Sequence, residues 1–333
     1  MAAPRLPPFP PVKILVTGSA GHLGEALMRT LRSPAWSGQV DAFGVDVLPS
    51  PFTDAVGSIV DRAFVARVLG GSGAVLHAAT LHKPHVISHT RQDFIDVNVT
   101  GTLNLLEEAV LAGVGAFVFT STTSTFGNAL TPKPGEPATW ITEDVVPIPK
   151  NIYGVTKLAA ENLCELMHAL HGLPTIVLRT SRFFPEDDDL PERAAAHVDA
   201  NLKLNELLYR RADIQDVVDA HLLAIDRAAT IGFGRYIVSA TTPFVQDDLV
   251  DLPTKAVEVL RRRAPDFEAV YAAQGWTMLD GIDRVYVNAR ARKDLGWAPK
   301  VDFASALAQA SRGEDFRSPL ARAVGAKGYH RTT

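Results

Sequence analysis

Short apolar segments alternate with longer amphipathic segments through the first half of the chain. Residues 13–18 read KILVTG, an apolar segment that ends in glycine. Similar apolar segments lie at 40–45, 74–77, 116–120 and 175–178, and segments with helical spacing of apolar residues lie at 22–31, 94–111 and 151–171. Strands this apolar are typical of a parallel sheet that helices cover on both faces. The pattern predicts an α/β fold of the Rossmann type, with a doubly wound parallel sheet.

The regular alternation ends after about residue 181, which suggests a division into two parts. We expect residues 12–181 to form the Rossmann domain and 182–316 to form mainly a smaller C-terminal substrate-binding lobe. Segments near 210–240, such as the apolar stretch 235–239, are predicted to return to the sheet. The proline-rich residues 1–11 favour an extended arm, and 317–333 lack a clear period and are predicted to form a tail or a peripheral wrap.

Composition and charge exclude several classes of protein. Hydrophobic residues make up 47% and charged residues 21% of the 333 residues, which is typical of a globular chain. The net charge of −4 does not indicate a nucleic-acid binder, and no apolar run approaches the length of a membrane span. The single cysteine, Cys164, excludes an internal disulfide and fits a reducing compartment. We therefore expect a cytoplasmic protein without nucleic-acid or membrane partners.

A glycine-rich loop follows the first predicted strand. Residues 17–24 read TGSAGHLG, with glycines at 18, 21 and 24 and with His22 and Leu23 between the last two. Gly18 allows a tight turn, Gly21 lets backbone N–H groups approach a pyrophosphate, and Gly24 allows close packing of the following helix. The positive end of that helix faces the phosphates. In this strand–loop–helix context the loop predicts dinucleotide binding rather than a simple turn.

An acidic residue at the end of the second strand indicates which dinucleotide is bound. Asp46 ends the sequence GVD, and neither of the next two residues, Val47 and Leu48, is an arginine. A carboxylate at this place accepts hydrogen bonds from ribose hydroxyls and repels a 2′-phosphate. The sequence therefore predicts NAD rather than NADP as the cofactor.

Two further features suggest hydroxyl chemistry. Tyr153 and Lys157 are four residues apart in the predicted helix 151–171 and so share one face. An ammonium beside a phenol favours the phenolate, which makes Tyr153 a candidate general base. Residues 120–127 read TSTTSTFG, and one of these hydroxyls is a candidate to hold a substrate oxygen. An exposed helix pair and a threonine-rich strand end are the alternatives.

Together these motifs resemble the extended short-chain dehydrogenase/reductase family, of the NAD-dependent epimerase/dehydratase type. The resemblance covers most of residues 12–310 and includes HAAT at 77–80, YGVTK at 153–157 and ARKDLGWAP at 291–299. It implies that Tyr153 is the base, that Lys157 is its partner and a ribose ligand, and that Thr122 is the catalytic hydroxyl. The cofactor residues that it implies are Gly18, Gly21, His22, Leu23, Gly24, Asp46, Ser58, Ile59, Ala78, Ala79 and Asn98.

On the substrate side the sequence departs from the family pattern. The dehydratases carry Asp-Glu after the catalytic threonine, where this chain has Thr123 and Ser124, so 4,6-dehydration is not expected. Arg182 replaces the usual asparagine and could bind a carboxylate or phosphate, or pair with the acidic residues 186–189. The substrate-binding candidates are His82, Thr123, Ser181, Arg182, Arg210 and Arg211.

The remaining expectations concern metal, partner and reaction. His77, His82, His85 and His89 lie close together in sequence, but contacts to the loop or to substrate are favoured over a metal site. The resemblance implies a homodimer formed through the helix at 151–171. The leading hypothesis is an NAD-dependent epimerase or oxidoreductase that acts on a sugar or nucleotide sugar. The alternatives are a sugar or uronate dehydrogenase with net NAD reduction, and a non-catalytic NAD-binding redox sensor.

Overall fold

A seven-stranded parallel sheet forms the centre of the structure, a computed structural model that describes residues 12–183 and 197–327. The strand order is β10-β7-β5-β4-β1-β2-β3, and every pair is parallel. The strands of this sheet are β1 (Val12–Thr17), β2 (Val40–Asp46), β3 (Ala55–Val56), β4 (Ser72–His77), β5 (Ala116–Thr122), β7 (Thr175–Thr180) and β10 (Phe233–Val238). The doubly wound fold predicted from the sequence is confirmed.

Helices cover both faces of this sheet because successive strand residues point to opposite faces. In β1, Ile14 and Val16 pack into one apolar core while Leu15 packs into the other. The helices of the described residues are α1 (His22–Leu31), α2 (Arg62–Leu69), α3 (Arg91–Ile95), α4 (Gly101–Leu111), α5 (Ile152–His171), α6 (Asp199–Leu207), α7 (Ile214–Ile231), α8 (Ala256–Arg263), α9 (Phe267–Gln274), α10 (Ala289–Asp294), α11 (Phe303–Ser311) and α12 (Pro319–Val324). Helices α1 and α7 lie on the first face, and α2, α4 and α5 lie on the second.

Short parallel strand pairs lie outside the main sheet, and one of them joins a segment of 12–181 to a segment of 182–316. Strand β6 (Thr139–Ile141) pairs with β11 (Arg284–Tyr286), and β8 (Arg182–Phe183) pairs with β9 (Arg211–Ala212). As expected from the apolar stretch 235–239, strand β10 returns to the main sheet, beside β7.

Two predicted segments differ from the structure. Residues 94–111 were expected to form one helix, but a π-helical segment, Asp96–Thr100, separates α3 from α4. No helix was predicted after residue 317, where a tail or a peripheral wrap was expected, but part of this segment forms α12, whose residues Ala321 and Val324 are buried. Residues 1–11, 184–196 and 328–333 lie outside the described part of the chain. Within the described ranges, none of the helices combines the length and apolarity that a membrane span requires.

Candidate active site

A cleft of about 300 Å³ opens at the carboxyl ends of β1, β4, β5 and β7. In a parallel α/β sheet this edge is where ligands bind. Thirteen of the predicted site residues line the cleft: Gly18, Gly21, His22, Leu23, Gly24, Ala78, His82, Thr122, Thr123, Tyr153, Ser181, Arg182 and Arg210. The fold therefore brings together motifs that are far apart in sequence.

The glycine loop has the shape of a phosphate cradle. Gly18 has a φ of +75°, and a Cβ there would lie 2.7 Å from the amide nitrogen of Ala79. A Cβ on Gly24 would lie 1.8 Å from the carbonyl oxygen of Gly18, so only glycine allows this turn to pack against α1. The residue before α1 is Gly21, which has no side chain to cap the helix. The positive end of α1 is thus presented to the cleft, as a dinucleotide diphosphate requires.

Asp46 lies beside this loop at the end of β2. Its carboxylate accepts hydrogen bonds from the amides of Ala20, at 3.0 Å, and Leu48, at 3.0 Å. The first bond ties the carboxylate to the glycine loop. Each carboxylate oxygen accepts only one of these two bonds, so both can still accept hydrogen bonds from ribose hydroxyls. The acceptor oxygens of Asp46 and the glycine loop therefore fit the adenosine half of NAD.

The other predicted cofactor residues do not line the cleft. The hydroxyl of Ser58 accepts a hydrogen bond from the Val60 amide, and Ile59 is buried against Gly101. Ala79 donates its amide hydrogen to the Thr17 hydroxyl. These positions support the neighbouring loops, and their contact with a cofactor stays a prediction.

The Asn98 side chain joins two elements behind the cleft by hydrogen bonds. Its amide oxygen accepts from the Leu81 backbone and from the Thr80 hydroxyl, and its amide nitrogen donates to the Thr156 hydroxyl on α5. The side chain is 2% exposed. Asn98 therefore fixes the loop after β4 against the helix that carries Tyr153.

Tyr153 and Thr122 reach the cleft from neighbouring elements. The Asn151 side chain accepts from the Gly154 amide and caps α5, so that Tyr153 lies in the first turn of the helix. Thr122 ends β5, and its hydroxyl oxygen accepts from the Ser124 amide at 3.1 Å. That bond leaves the single hydroxyl hydrogen of Thr122 available to donate to a substrate oxygen.

Lys157 lies one turn after Tyr153 and is 2% exposed. Its ammonium donates to the carbonyl oxygen of Thr120 at 2.7 Å and lies 4.0 Å from the ring centre of Phe119. Burial lowers the pKa of Lys157 to about 7, although the negative charge of Glu161 opposes this shift. A lysine with such a pKa changes its charge near neutral pH.

A buried carboxylate that sequence reasoning missed holds this region together. Glu161, four residues after Lys157, is fully buried and accepts a hydrogen bond from Ser121, the neighbour of Thr122. It also forms a bidentate ion pair with Arg179 on β7, with a shortest distance of 2.7 Å. The four-residue spacing from Lys157 was the available signal, because it places both side chains on one face of the helix.

Two arginines, Arg182 and Arg210, line the cleft and form what we call the arginine wall. Glu206 on α6 forms ion pairs with Arg210 and Arg211. Arg211 is fully buried, donates to Glu206 at 2.6 Å and does not line the cleft. Both guanidinium groups reach the same carboxylate, and of the two only Arg210 also lines the cleft. The acidic residues 186–189 considered for Arg182 lie outside the described chain.

Four cationic residues of the cleft were missed because no local motif marks them. They are Lys83, Lys150, Arg284 and Lys327. With Arg182 and Arg210 they give six lysine or arginine residues in the described lining, which contains no aspartate or glutamate. The cleft therefore favours an anionic ligand, although the chain as a whole carries a net charge of −4.

The histidine cluster lies beside Tyr153. The ring centre of His82 is 6.2 Å from that of Tyr153, and His85 accepts a hydrogen bond from the His82 backbone at 2.8 Å. Within the part of the chain that the structure describes, no group of three or more His, Cys, Asp or Glu side chains is placed to hold a metal ion. The position of His82 in the cleft fits the predicted contact with substrate.

Comparisons with known proteins place the chain in a family. Residues 14–238 match the NAD dependent epimerase/dehydratase family. A dTDP-glucose 4,6-dehydratase of Streptomyces griseus is 30% identical over 89% of this chain and 92% of its own length. A 3-beta-hydroxysteroid dehydrogenase of Mycolicibacterium neoaurum is 24% identical over 89% of this chain and 90% of its own.

A solved structure shows the same fold. It is a short-chain dehydrogenase/reductase superfamily protein of Agrobacterium tumefaciens with bound NAD, and its TM-score to this chain is 0.63 at 24% identity. The alignment covers 90% of this chain and 96% of the other. The resemblance inferred from the sequence is thus confirmed, together with NAD as the cofactor. The chain belongs to the NAD-dependent epimerase/dehydratase family.

Proposed function

We propose that this protein is an NAD-dependent epimerase or oxidoreductase that acts on a nucleotide sugar, with Tyr153 as the general base. The proposal rests on the observation that one cleft contains all the parts that such a reaction needs. The cleft is lined by the glycine loop, by Thr122 and Tyr153, and by the arginine wall.

In this mechanism the substrate hydroxyl binds between two side chains. Thr122 donates its hydroxyl hydrogen to the substrate oxygen and holds it in place. Tyr153 accepts the hydroxyl proton as the carbonyl forms. Lys157, when charged, stabilises the phenolate of Tyr153 from behind. Glu161 holds Ser121, and thereby the end of β5 that carries Thr122.

The residues that would hold NAD are those of the glycine loop, with Asp46 toward the adenosine ribose. Bound there, NAD would supply the acceptor for a hydride from the carbinol carbon and, in an epimerisation, the donor for its return to the other face of the ketone. Since hydride transfer needs a dry site, the burial of Tyr153 and Thr122, at 7% and 9% exposure, suits this chemistry.

The charge of the cleft favours a nucleotide sugar over a neutral sterol. Arg182 and Arg210 offer guanidinium groups that match the oxygens of a diphosphate. A neutral steroid gains nothing from the positive charge that the single carboxylate of Glu206 leaves uncompensated in this wall, whereas a diphosphate does. Thr123 and Ser124, in place of an Asp-Glu pair, disfavour 4,6-dehydration, so we favour epimerisation.

The second candidate is a sugar or uronate dehydrogenase with net reduction of NAD. It is favoured by Arg182, whose guanidinium could bind a carboxylate as well as a phosphate. In that case the cofactor would leave after each turnover, whereas an epimerase regenerates it in the site.

The test combines cofactor release with a substrate panel. We would denature the purified protein, assay the released dinucleotide, and incubate native protein with UDP-sugars, dTDP-sugars and free uronic acids while following NADH absorbance. A new sugar isomer without net NADH supports the epimerase, and NADH that accumulates on a sugar supports the dehydrogenase. Bound NAD without turnover on any substrate would favour the redox sensor.

The variant Tyr153→Phe tests the base directly. It removes only the phenol oxygen, so we expect turnover to fall at least about 100-fold while NADH binding is retained. Tyr271→Phe is the matched control, because its hydroxyl donates to Asn205 outside the cleft. Full activity of Tyr153→Phe would refute the assigned mechanism.

A further inference from the structure

The segment that follows α12 lies against the glycine loop. The Lys327 ammonium donates to the carbonyl oxygen of Ala20 at 2.7 Å and forms an ion pair with Glu25 on α1. The Lys327 backbone amide donates to the His22 ring at 2.5 Å. Lys327 therefore contacts Ala20 in the glycine loop and both His22 and Glu25 in the first turn of α1. It also lines the same cleft.

The main domain holds this segment in place. The Ser318 amide donates to Asp213 on α7 at 2.9 Å, and the Ser318 hydroxyl caps α12 through the Ala321 amide. Ala321 and Val324 are buried in the apolar core that also contains α1 and α7. The lysine is thus carried by a packed helix.

Negative charges near the glycine loop favour a cation at the place that Lys327 occupies. A dinucleotide brings two phosphate charges to the start of α1, where Asp46 and Glu25 already lie nearby. Burial raises the pKa of Glu25, but hydrogen bonds from Lys327 and Arg29 outweigh it and lower the pKa. Glu25 is therefore ionised at neutral pH, and a cation beside it would offset its repulsion of two further negative charges.

We propose that Lys327 is a further NAD-binding residue, which pairs with the diphosphate and holds the segment after α12 across the glycine loop as a clasp. The Lys327 side chain is 27% exposed, and its long stem lets the ammonium move from the Ala20 carbonyl to a phosphate oxygen while the backbone stays on His22. This inference rests on the cofactor of the family and is independent of the proposed reaction and substrate.

The test measures binding rather than turnover. Calorimetric titration of the full chain with ADP-ribose and with adenosine separates diphosphate contacts from base contacts. We expect Lys327→Ala to weaken ADP-ribose at least about tenfold, which corresponds to about 1.4 kcal/mol. Adenosine affinity should not change, and the loss should shrink at high salt. Lys300→Ala, an exposed lysine paired with Asp219, is the control and should match the wild type.

Glu25→Gln separates a ligand role from a purely structural pair. If Lys327 binds the diphosphate, Glu25→Gln frees the ammonium and ADP-ribose binds as tightly as in the wild type or more tightly. Wild-type affinity for ADP-ribose in Lys327→Ala would overturn the proposal and leave only a structural ion pair. Tighter binding in Lys327→Ala would also overturn it, because the segment would then obstruct the site.

Discussion

The buried ammonium of Lys157 makes a measurable prediction about stability and pH. Its pKa in the folded protein is about 7, against 10.5 for an ordinary lysine. Between these two values the unfolded chain binds a proton that the folded chain has released. Stability therefore rises with pH across the window from about 7 to about 10.5.

The size of this effect follows from the pKa difference. At about 1.4 kcal/mol for each pKa unit, the wild type gains up to about 5 kcal/mol across the window from this group. Burial is the largest cause, and the ion interaction with Glu161 acts against it. Water that enters the cleft would reduce the gain, so about 2 kcal/mol is the smallest value that the reasoning allows.

The assay is urea unfolding of the cofactor-free wild type and of Lys157→Met, from pH 6 to pH 10. Other titrating groups cancel in the difference between the two curves. We expect the stability of Lys157→Met relative to the wild type to fall by about 2–5 kcal/mol as the pH rises. Lys255→Met, which removes a lysine that is 59% exposed, should show a flat difference. A flat difference for Lys157→Met would refute the reasoning.

Two further substitutions test the cradle and the arginine wall. We expect Gly24→Ala to abolish NADH binding, measured by fluorescence titration, because its Cβ would overlap a loop carbonyl, while Gly70→Ala, which meets no atom closer than 3.7 Å, should bind normally. Burial raises the pKa of Glu206, but Arg211 and Arg210 outweigh it and hold the pKa near 2. We expect Glu206→Gln to cost about 3–5 kcal/mol in urea unfolding above about pH 5, with a smaller loss as the pH falls toward 2, and an unchanged free energy of unfolding would contradict this.

Local motifs allowed the shape of the glycine loop and the place of Asp46 beside it to be predicted from sequence, while their contact with a cofactor stays a prediction. The turn at Gly18, the packing at Gly24 and the carboxylate of Asp46 each depend on a few neighbouring residues, and the structure shows the geometry that each was expected to form. The five central strands and α5 were likewise visible as apolar periods, because burial on both faces leaves a strong pattern.

The substrate half could not be predicted in the same way. Arg284 and Lys150 come from separate elements of the chain, and only tertiary packing brings them to one cleft. Arg211 was expected in the cleft beside Arg210, but it is fully buried against Glu206 and does not line the cleft. Lys327 lay in a segment without periodicity, and its packing on α1 depends on contacts more than 300 residues apart in sequence.

The distribution of charge links these observations to how the protein selects its ligand. A chain with a net charge of −4 repels anions at long range, yet the described lining of the cleft contains cationic and no acidic side chains. The protein around the cleft has a low dielectric constant, which concentrates the electric field of the cationic side chains at the opening. An anionic ligand is therefore attracted only when it is close to the opening. Glu206 holds Arg210 in place at that opening but supplies only one negative charge to three neighbouring arginines. Discrimination against neutral ligands therefore follows from the uncompensated positive charge, which attracts a diphosphate and gives a ligand without charge no gain.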